Sequence, residues 1–246
     1  MGKKFKGKIC AYCANHTATT EDHIFSREFF LVEHRHNLPK APACSVCNNK
    51  KAKYEHYLTA VLPFGARHDH AIANLTSNVP GRLTKNRKLK NKLSESINPM
   101  WLREQQQGLY QQTSSISFDG AQLEQLLKFV ARGLTWHHWR TYIGRDYHAR
   151  VLFLPEALDS VWEQQVNSFN VARRTVETLG EGTVRYMGIQ AIDPPELTIW
   201  GITMYGGVIL YGEQRQSSLS TSTVSRWWIV TGPQSVADTI DRSLAT

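Results

Sequence analysis

The stretch that decides the fold contains two cysteine pairs separated by a histidine motif: Cys10-Ala-Tyr-Cys13, Glu21-Asp22-His23-Ile24 and Cys44-Ser-Val-Cys47-Asn48. The two C-x2-C pairs supply four thiolates, which are a complete tetrahedral ligand set for zinc. A structural zinc can fold so short a segment, and we expect it to fix Asp22, His23 and Asn48 relative to one another. Hard oxygen ligands beside an imidazole are what metal-dependent hydrolysis needs.

The composition of the whole chain limits the class of protein. Its 246 residues carry enough apolar side chains for a real core. It shows no apolar signal segment and no apolar run long enough to span a membrane, so we expect a soluble, cytoplasmic protein without a membrane partner. In a reducing cytosol, four cysteines in two close pairs are expected to bind zinc rather than to form disulfides.

The net charge of +8 is unevenly distributed. Residues 1–108 hold 18 Lys and Arg against 8 Asp and Glu, a surplus of 10, whereas residues 109–246 hold 11 against 13, a deficit of 2. All of the excess positive charge therefore lies in residues 1–108, the part of the chain that also contains the four cysteines. This pattern favours nucleic acid as a partner over a merely solvated surface.

Two groups of basic residues are candidates for contacts with phosphates. The first lies on a helix predicted from Cys44 to about Leu62, before Pro63, although a solvated helix face is the alternative there. The second carries six basic residues in the eleven positions from Arg82 to Lys92 and indicates a basic helix, with a mobile linker as the alternative. The candidates are Lys50, Lys51, Lys53, Arg82, Lys85, Arg87, Lys88 and Lys90.

The second half of the chain has a mixed pattern. Asp119 opens its clearest helix, with Gln122 placed for a capping interaction and leucines at helical spacing. Strands are predicted at 150–154, 183–192, 197–205, 207–211 and 225–230, and a helix at 155–166. Short turns between strands favour a mainly antiparallel sheet. Residues 99–118, rich in Gln and Ser, are predicted to connect domains.

The predicted fold class is therefore α+β, in three parts. Residues 1–62 form a zinc-bearing module, and residues 63–108 form a basic helical connector. Residues 109–246 form a C-terminal α+β domain that serves specificity, oligomerisation or control, and that is the candidate surface for a homo-oligomer.

Residues 10–57 resemble an HNH nuclease of the zinc-stabilised ββα-metal type. The likeness rests on the combination of C-x2-C, a D-H-I strand, and a second C-x2-C followed by N-x2-K at the start of a helix. The resemblance implies a ββα-metal fold that cleaves phosphodiester bonds, most simply those of DNA, leaving 5′-phosphate and 3′-hydroxyl ends. The remainder resembles an uncharacterised region found behind such domains, through Phe129–Leu134, Gly182–Tyr186 and Trp200–Tyr211, and this implies no activity.

The same resemblance assigns a role to each site residue. His23 would be the general base that deprotonates the attacking water, while Asp22 and Asn48 would hold one divalent ion. Oxygen ligands of this kind suit Mg²⁺ or Mn²⁺. Glu55 and His56 are further candidate ligands about two turns along the helix, where Glu55 shares the face of Asn48 and His56 is the more usual residue type.

The match departs from the family pattern at one position. Pro39 stands nine residues before Asn48, where the family carries an asparagine that orients the base. Asn37 or a backbone carbonyl near Lys40 are the alternative supports for His23. The main competing hypothesis is that the chain is a non-catalytic, zinc-dependent nucleic-acid-binding protein. The third hypothesis is a purely structural interaction protein.

Overall fold

The structure is a computed structural model that describes residues 5, 7–66, 68–103, 110–144, 146–154, 156–212, 220–224 and 226–236. In chain order its strands and α-helices are β1 (Thr20–His23), β2 (Lys40–Ala43), α1 (Ser45–Val61), α2 (Asp69–Lys85), α3 (Arg87–Glu95), β3 (Asn98–Arg103), β4 (Tyr110–Ser115), α4 (Gly120–Trp139), β5 (Tyr147–Phe153), α5 (Glu156–Ser168), β6 (Arg173–Leu179), β7 (Val184–Gln190), β8 (Thr198–Met204), β9 (Val208–Gly212), β10 (Ser220–Val224) and β11 (Trp227–Pro233). Single 3-10 turns occupy Arg27–Phe29, Val32–His34 and Leu62–Gly65. The mixture confirms the predicted α+β class.

The N-terminal segment forms a β-hairpin followed by a helix. Strands β1 and β2 are antiparallel, with His23 opposite Lys40. Helix α1 begins directly after β2 because Cys44 caps it: its Sγ accepts a hydrogen bond from the backbone N–H of Cys47 at 3.5 Å. The strand predicted at Asp22-His23 and the helix predicted after the second cysteine pair are therefore both present, in the order β, β, α.

The basic stretch after residue 80 is helical, as predicted. Helix α2 continues through Pro80, and Asn86 then caps α3 by accepting from the backbone N–H of Leu89 at 3.1 Å. On α3, Leu93 is buried and Leu89 packs against the core, while the basic residues between them face outward.

The segment predicted to connect domains contains two paired strands, and its residues 104–109 lie outside the described part of the chain. Strands β3 and β4 pair in antiparallel register, with Asn98 opposite Ser115. Their sequences, Asn-Pro-Met-Trp-Leu-Arg and Tyr-Gln-Gln-Thr-Ser-Ser, lack an alternation of apolar and polar residues, so the pattern does not predict strands there.

The C-terminal half is built on a five-stranded antiparallel sheet in the order β5-β11-β8-β7-β6. The edge strand β6 is absent from the predicted set because most of its side chains are exposed and polar. Helix α4 begins where predicted: Asp119 accepts from the backbone N–H of Gln122 at 3.4 Å and from its side-chain amide at 2.9 Å. Trp227 and Trp228 are both buried, so neither ring lines a surface.

Helix α4 packs against both the β1–β2 hairpin and the five-stranded sheet, and the three share one continuous core. The helix carries Gly133 at its contact with the N-terminal segment, where a Cβ would lie 3.0 Å from Ile24 and 3.1 Å from Tyr12. On its other side, Trp139 stacks on Trp200 with ring centroids 4.8 Å apart. The hairpin of β1 and β2 is thus packed, through α4, against the C-terminal sheet. Among the described residues, no helix combines the length and apolar character needed to cross a bilayer.

Candidate active site and metal centres

The four predicted zinc ligands come together in space. The Sγ atoms of Cys10, Cys13, Cys44 and Cys47 all lie within 4.8 Å of one another, and none of them forms a disulfide. Four thiolates satisfy tetrahedral zinc and leave no position for water, so this donor set fits a structural rather than a catalytic ion.

His16 lies against this cysteine cluster, a contact that the sequence pattern does not predict. Its Nδ1 is 3.6 Å from Sγ of Cys13 and 4.0 Å from Sγ of Cys44. Burial acts to raise the pKa of the Cys13 thiol, but hydrogen bonds with the backbone of His16 and Asn15 and with neighbouring side chains lower that pKa to about 6. Cys13 therefore favours the thiolate, which is the metal-binding form.

Asp22 and His23 face opposite sides of the hairpin because successive side chains in a strand alternate. Asp22 points toward α1, whereas His23 shares its face with Lys40 on the partner strand. The carboxylate of Asp22 and the imidazole of His23 therefore lie in two different environments on adjoining faces of the hairpin.

The side chain of Lys51 lies beside Asp22 and is fully buried. Its Nζ lies 3.0 Å from Oδ2 of Asp22 and 2.6 Å from Oε1 of Glu55, and it donates to the backbone carbonyl of His23 at 2.8 Å. The hydroxyl of Tyr12 donates to the same Oδ2 of Asp22. The prediction that Lys51 contacts phosphates is therefore wrong: its ammonium is bound inside the protein, between two carboxylates.

The other candidate ligands on α1 differ in exposure. Asn48 is half-buried and lies one turn before Lys51, whereas His56 is exposed. Burial raises the pKa of the Glu55 carboxyl, and the neighbouring Lys51 acts in the opposite direction. In this structure Glu55 is the partner of Lys51.

Asp22 keeps acceptor capacity beyond its contacts with Tyr12 and Lys51. An ionised carboxylate offers about four lone-pair sites, so contacts from Tyr12 and Lys51 to Oδ2 leave acceptor capacity on Asp22. When both carboxylates are ionised, Asp22, Glu55 and Lys51 together carry one negative charge, which attracts a cation. Asp22 and the amide oxygen of Asn48 are hard ligands of the kind that Mg²⁺ and Mn²⁺ prefer.

We expect Lys51→Met to destabilise the protein strongly, because it leaves two buried carboxylates without their shared cation. Breaking a buried ion pair by removing one partner typically lowers the free energy of unfolding by about 3–5 kcal/mol. The adjacent, exposed Lys50→Met is the matched control and should change that free energy by no more than about 0.5 kcal/mol. Urea unfolding of both variants measures the difference. Equal effects of the two substitutions would contradict the buried network.

His23 lines a cleft that also contains cationic side chains, on the other face of the β1–β2 hairpin. The cleft has a volume of about 580 Å³. Its lining residues are His23, Arg27, Arg35, His36, Asn37, Leu38 and Lys40, and no acidic side chain is among these described residues. Burial lowers the pKa of His23 below its ordinary value, and the positive charges of Lys40 and Arg27 lower it further. At neutral pH the imidazole is therefore unprotonated and able to accept a proton.

The two alternative supports for His23 are placed differently. The backbone carbonyl of Lys40 accepts a hydrogen bond from Nδ1 of His137 on α4 at 2.9 Å, which anchors the hairpin instead. Asn37 lies on the wall of the cleft with His23, in a left-handed conformation (φ 54°) that asparagine tolerates better than most residues. Asn37 is thus the better placed of the two.

Arg82 is not directed at solvent, contrary to its predicted role in phosphate binding. Its guanidinium donates to the backbone carbonyl of Thr59 at 2.9 Å and lies 2.7 Å from Oε2 of Glu28. Arg35 of the cleft binds the other oxygen of the same Glu28 at 3.2 Å. Arg82 on α2 is therefore linked through Glu28 to Arg35 of the cleft wall. The remaining predicted phosphate contacts are exposed: Lys50, Lys53, Lys85, Arg87, Lys88 and Lys90.

Comparison with known proteins adds no relative: no family model, no curated protein and no solved structure matches the chain. A functional assignment for this site therefore depends on its residues and on their geometry.

Proposed function

We propose that the protein is a metal-dependent endonuclease that hydrolyses phosphodiester bonds of nucleic acid, most simply DNA, in the cleft beside His23. One observation carries the proposal. A half-buried imidazole with a lowered pKa stands on the wall of a cleft whose charged side chains are all cationic among the described residues. A phosphodiester is the anion that such a cleft suits, and an unprotonated imidazole is the base that its hydrolysis needs.

The residues divide the chemistry between them. His23 takes a proton from the attacking water, whose oxygen then forms a bond to phosphorus. Arg27 provides positive charge for the phosphate oxygens as negative charge develops, and Arg35 and Lys40 add to it when the phosphate replaces their carboxylate partners Glu28 and Glu21. The bond from phosphorus to the 3′-oxygen breaks, and the 3′-oxygen acquires a proton from solvent. The products carry a 5′-phosphate and a 3′-hydroxyl.

A divalent ion is the implied cofactor of this reaction. Asp22 and Asn48 would hold it on the α1 side of the hairpin. When bound, it would supply positive charge to a phosphate at the border between that side and the cleft of His23, and to the leaving oxygen. A zinc ion held by the four cysteines would have a different task, because it would fix the hairpin against the start of α1.

A non-catalytic nucleic-acid-binding protein is the second candidate, and one observation favours it. Lys51 already neutralises part of the charge of Asp22, and Tyr12 donates to the same carboxylate oxygen. If the ammonium has replaced the divalent ion altogether, the cleft binds phosphates without cleaving them.

Plasmid nicking separates the two candidates. The full chain is incubated with supercoiled plasmid and with Mg²⁺ or Mn²⁺, and we expect nicked circles that EDTA suppresses and that excess Mg²⁺ restores. Metal analysis in the same samples checks that the zinc of the cysteine cluster is retained. Binding without nicking in both metals, on duplex and single-stranded DNA and on RNA, would support the non-catalytic candidate and contradict the endonuclease.

Helix α3 is the predicted surface for sequence-independent contacts with phosphates. Neutralising Arg87, Lys88 and Lys90 together by Gln should flatten the slope of log K against log salt concentration by up to about three units, because each lost phosphate contact removes roughly one. Fluorescence anisotropy on a labelled duplex across a salt series measures that slope.

A charge-matched control uses three cations of the C-terminal half, Lys128, Arg150 and Arg185, each replaced by Gln. The control should leave the salt slope within about half a unit of the wild-type value, since it removes no phosphate contact. If the two triple variants shift the slope equally, only net charge matters and α3 has no special role.

A further inference from the structure

Three potential metal ligands from distant parts of the sequence meet away from both sites described above. His34 ends the 3-10 turn Val32–His34, His70 lies in the first turn of α2, and Glu181 lies in the turn between β6 and β7. One ligand atom from each lies within 4.8 Å of the other two. The imidazole rings of His34 and His70 are stacked, with centroids 4.7 Å apart.

The hydrogen bonds of His70 fix which of its ring nitrogens carries the lone pair that a metal needs. The hydroxyl of Thr183 donates its only proton to the backbone carbonyl of Gly180 at 2.7 Å. The contact between that hydroxyl and Nδ1 of His70, also 2.7 Å, must therefore be donated by the imidazole. Neutral His70 then has its lone pair on Nε2. A ring N–H held by the protein in this way is the usual arrangement behind a metal-bound histidine.

The separation between His34 and Glu181 also suits a bridging ion. Their Nε2 and Oε2 atoms are 3.6 Å apart, which is longer than the 2.7–2.9 Å typical of a direct charge-assisted hydrogen bond. Two ligand atoms that each lie about 2.0–2.2 Å from a tetrahedral zinc ion are roughly 3.4 Å apart. The observed spacing is closer to the second value.

The turn that presents Glu181 is held in place by its neighbours. Gly180 has φ +53°, and a Cβ there would lie 2.5 Å from the ring of Phe30, so the turn can approach this ring only with glycine. Glu181 itself adopts the left-handed region with φ 51°, which is uncommon for this residue type. The close packing of Gly180 on Phe30 brings the carboxylate to the segment that carries His34.

We propose that His34, His70 and Glu181 bind a second divalent ion, which by ligand type is Zn²⁺ with water in the fourth position. Such an ion would join the N-terminal segment, α2 and the C-terminal sheet. His34 directly precedes Arg35, His36 and Asn37, so occupancy also fixes one wall of the cleft; this consequence rests on the proposed function, whereas the metal site does not.

Metal binding by the full chain, without nucleic acid, tests the site. Protein whose cysteine cluster is loaded with zinc is titrated with further Zn²⁺ in a calorimeter, and with Co²⁺ while its absorption is recorded. We expect one further ion per chain, whose Co²⁺ spectrum lacks the thiolate charge-transfer bands of a cysteine site. Uptake of only the cysteine-bound ion, up to millimolar added zinc, would overturn the proposal.

Substitutions then assign the ligands. His34→Gln, His70→Gln and Glu181→Gln should each weaken the second binding event by more than about 100-fold, and Thr183→Val, which removes the partner of Nδ1, by about 10–100-fold. His148→Gln, an exposed histidine on β5, is the matched control and should leave it unchanged. Glu181→Gln changes an exposed side chain and should remain folded by circular dichroism. If Glu181→Gln binds the ion as tightly as His148→Gln does, the assignment is wrong.

Discussion

Replacing His23 with alanine should abolish cleavage of nucleic acid while leaving the fold and the binding of nucleic acid intact. Loss of a general base typically slows a reaction by about 10²–10⁴-fold. The cations of the cleft and the exposed residues of α3 remain in this variant, so affinity should change by less than about threefold. Single-turnover cleavage of a labelled duplex, with binding measured in parallel, gives both quantities.

The pH dependence provides a second and independent check on His23. Burial and the cations Lys40 and Arg27 hold its pKa below the ordinary value, so the acidic limb of kcat/KM should have its midpoint below about pH 6.5. The rate should rise with pH through this midpoint, because only the unprotonated imidazole accepts a proton. His148→Ala is the control and should retain both the rate and the profile. Cleavage by His23→Ala within a few-fold of wild type would mean that another residue is the base, with His56 the first to examine.

Replacing Cys44 with serine should unfold the N-terminal segment. A structural zinc ion bound by four cysteines can supply about 10–16 kcal/mol of folding free energy in small zinc domains, which is as large as the whole stability of a typical protein, about 5–15 kcal/mol. Cys44 also caps α1 through its sulfur, so the substitution disturbs the helix as well as the metal site. Protease digestion should cut within residues 8–60, and metal analysis should find less zinc than in the wild type.

The neighbouring Ser45→Ala provides a control for this prediction, because Ser45 is an exposed residue of the same helix turn. It should retain one tightly bound zinc ion, resistance to protease and full activity. A Cys44→Ser protein that is folded and fully active would show that the cysteines do not hold a structural zinc. The shared core predicts a further result: because Tyr12 and Ile24 pack against Gly133 of α4, loss of zinc should also lower the melting temperature of the remainder.

The sequence predicts those parts of the site whose chemistry constrains their spacing. Four cysteines in two close pairs have few arrangements other than a common cluster, and they come together as expected. The helix after Cys44 and the capped helix after Asp119 follow from local signals, and both begin where predicted. The apolar central strands of the C-terminal sheet, such as β8 and β11, are also found, whereas the sequence pattern does not predict β3, β4 and β6.

The parts that could not be predicted depend on contacts between distant residues. Helical periodicity places Glu55 on the same face as Asn48. It does not predict that the buried Lys51 binds Glu55 and Asp22. A lysine is usually exposed unless it has such partners. Arg82 likewise lies in a basic run and yet binds Glu28, 54 residues earlier. His34, His70 and Glu181 share no spacing that a sequence pattern could reveal; only the folded chain brings them together.

The most direct test of the central claim is a crystal structure of the full chain with Mn²⁺ and a nucleic acid whose scissile phosphate carries a sulfur that slows cleavage. The account predicts an anomalous Mn²⁺ peak beside Asp22 and Asn48, and a phosphate in the cleft within hydrogen-bond distance of Arg27, Arg35 or Lys40 and facing His23. Nucleic acid bound elsewhere, or a phosphate in the cleft with Lys51 still bridging Asp22 and Glu55 and no Mn²⁺ beside them, would contradict it.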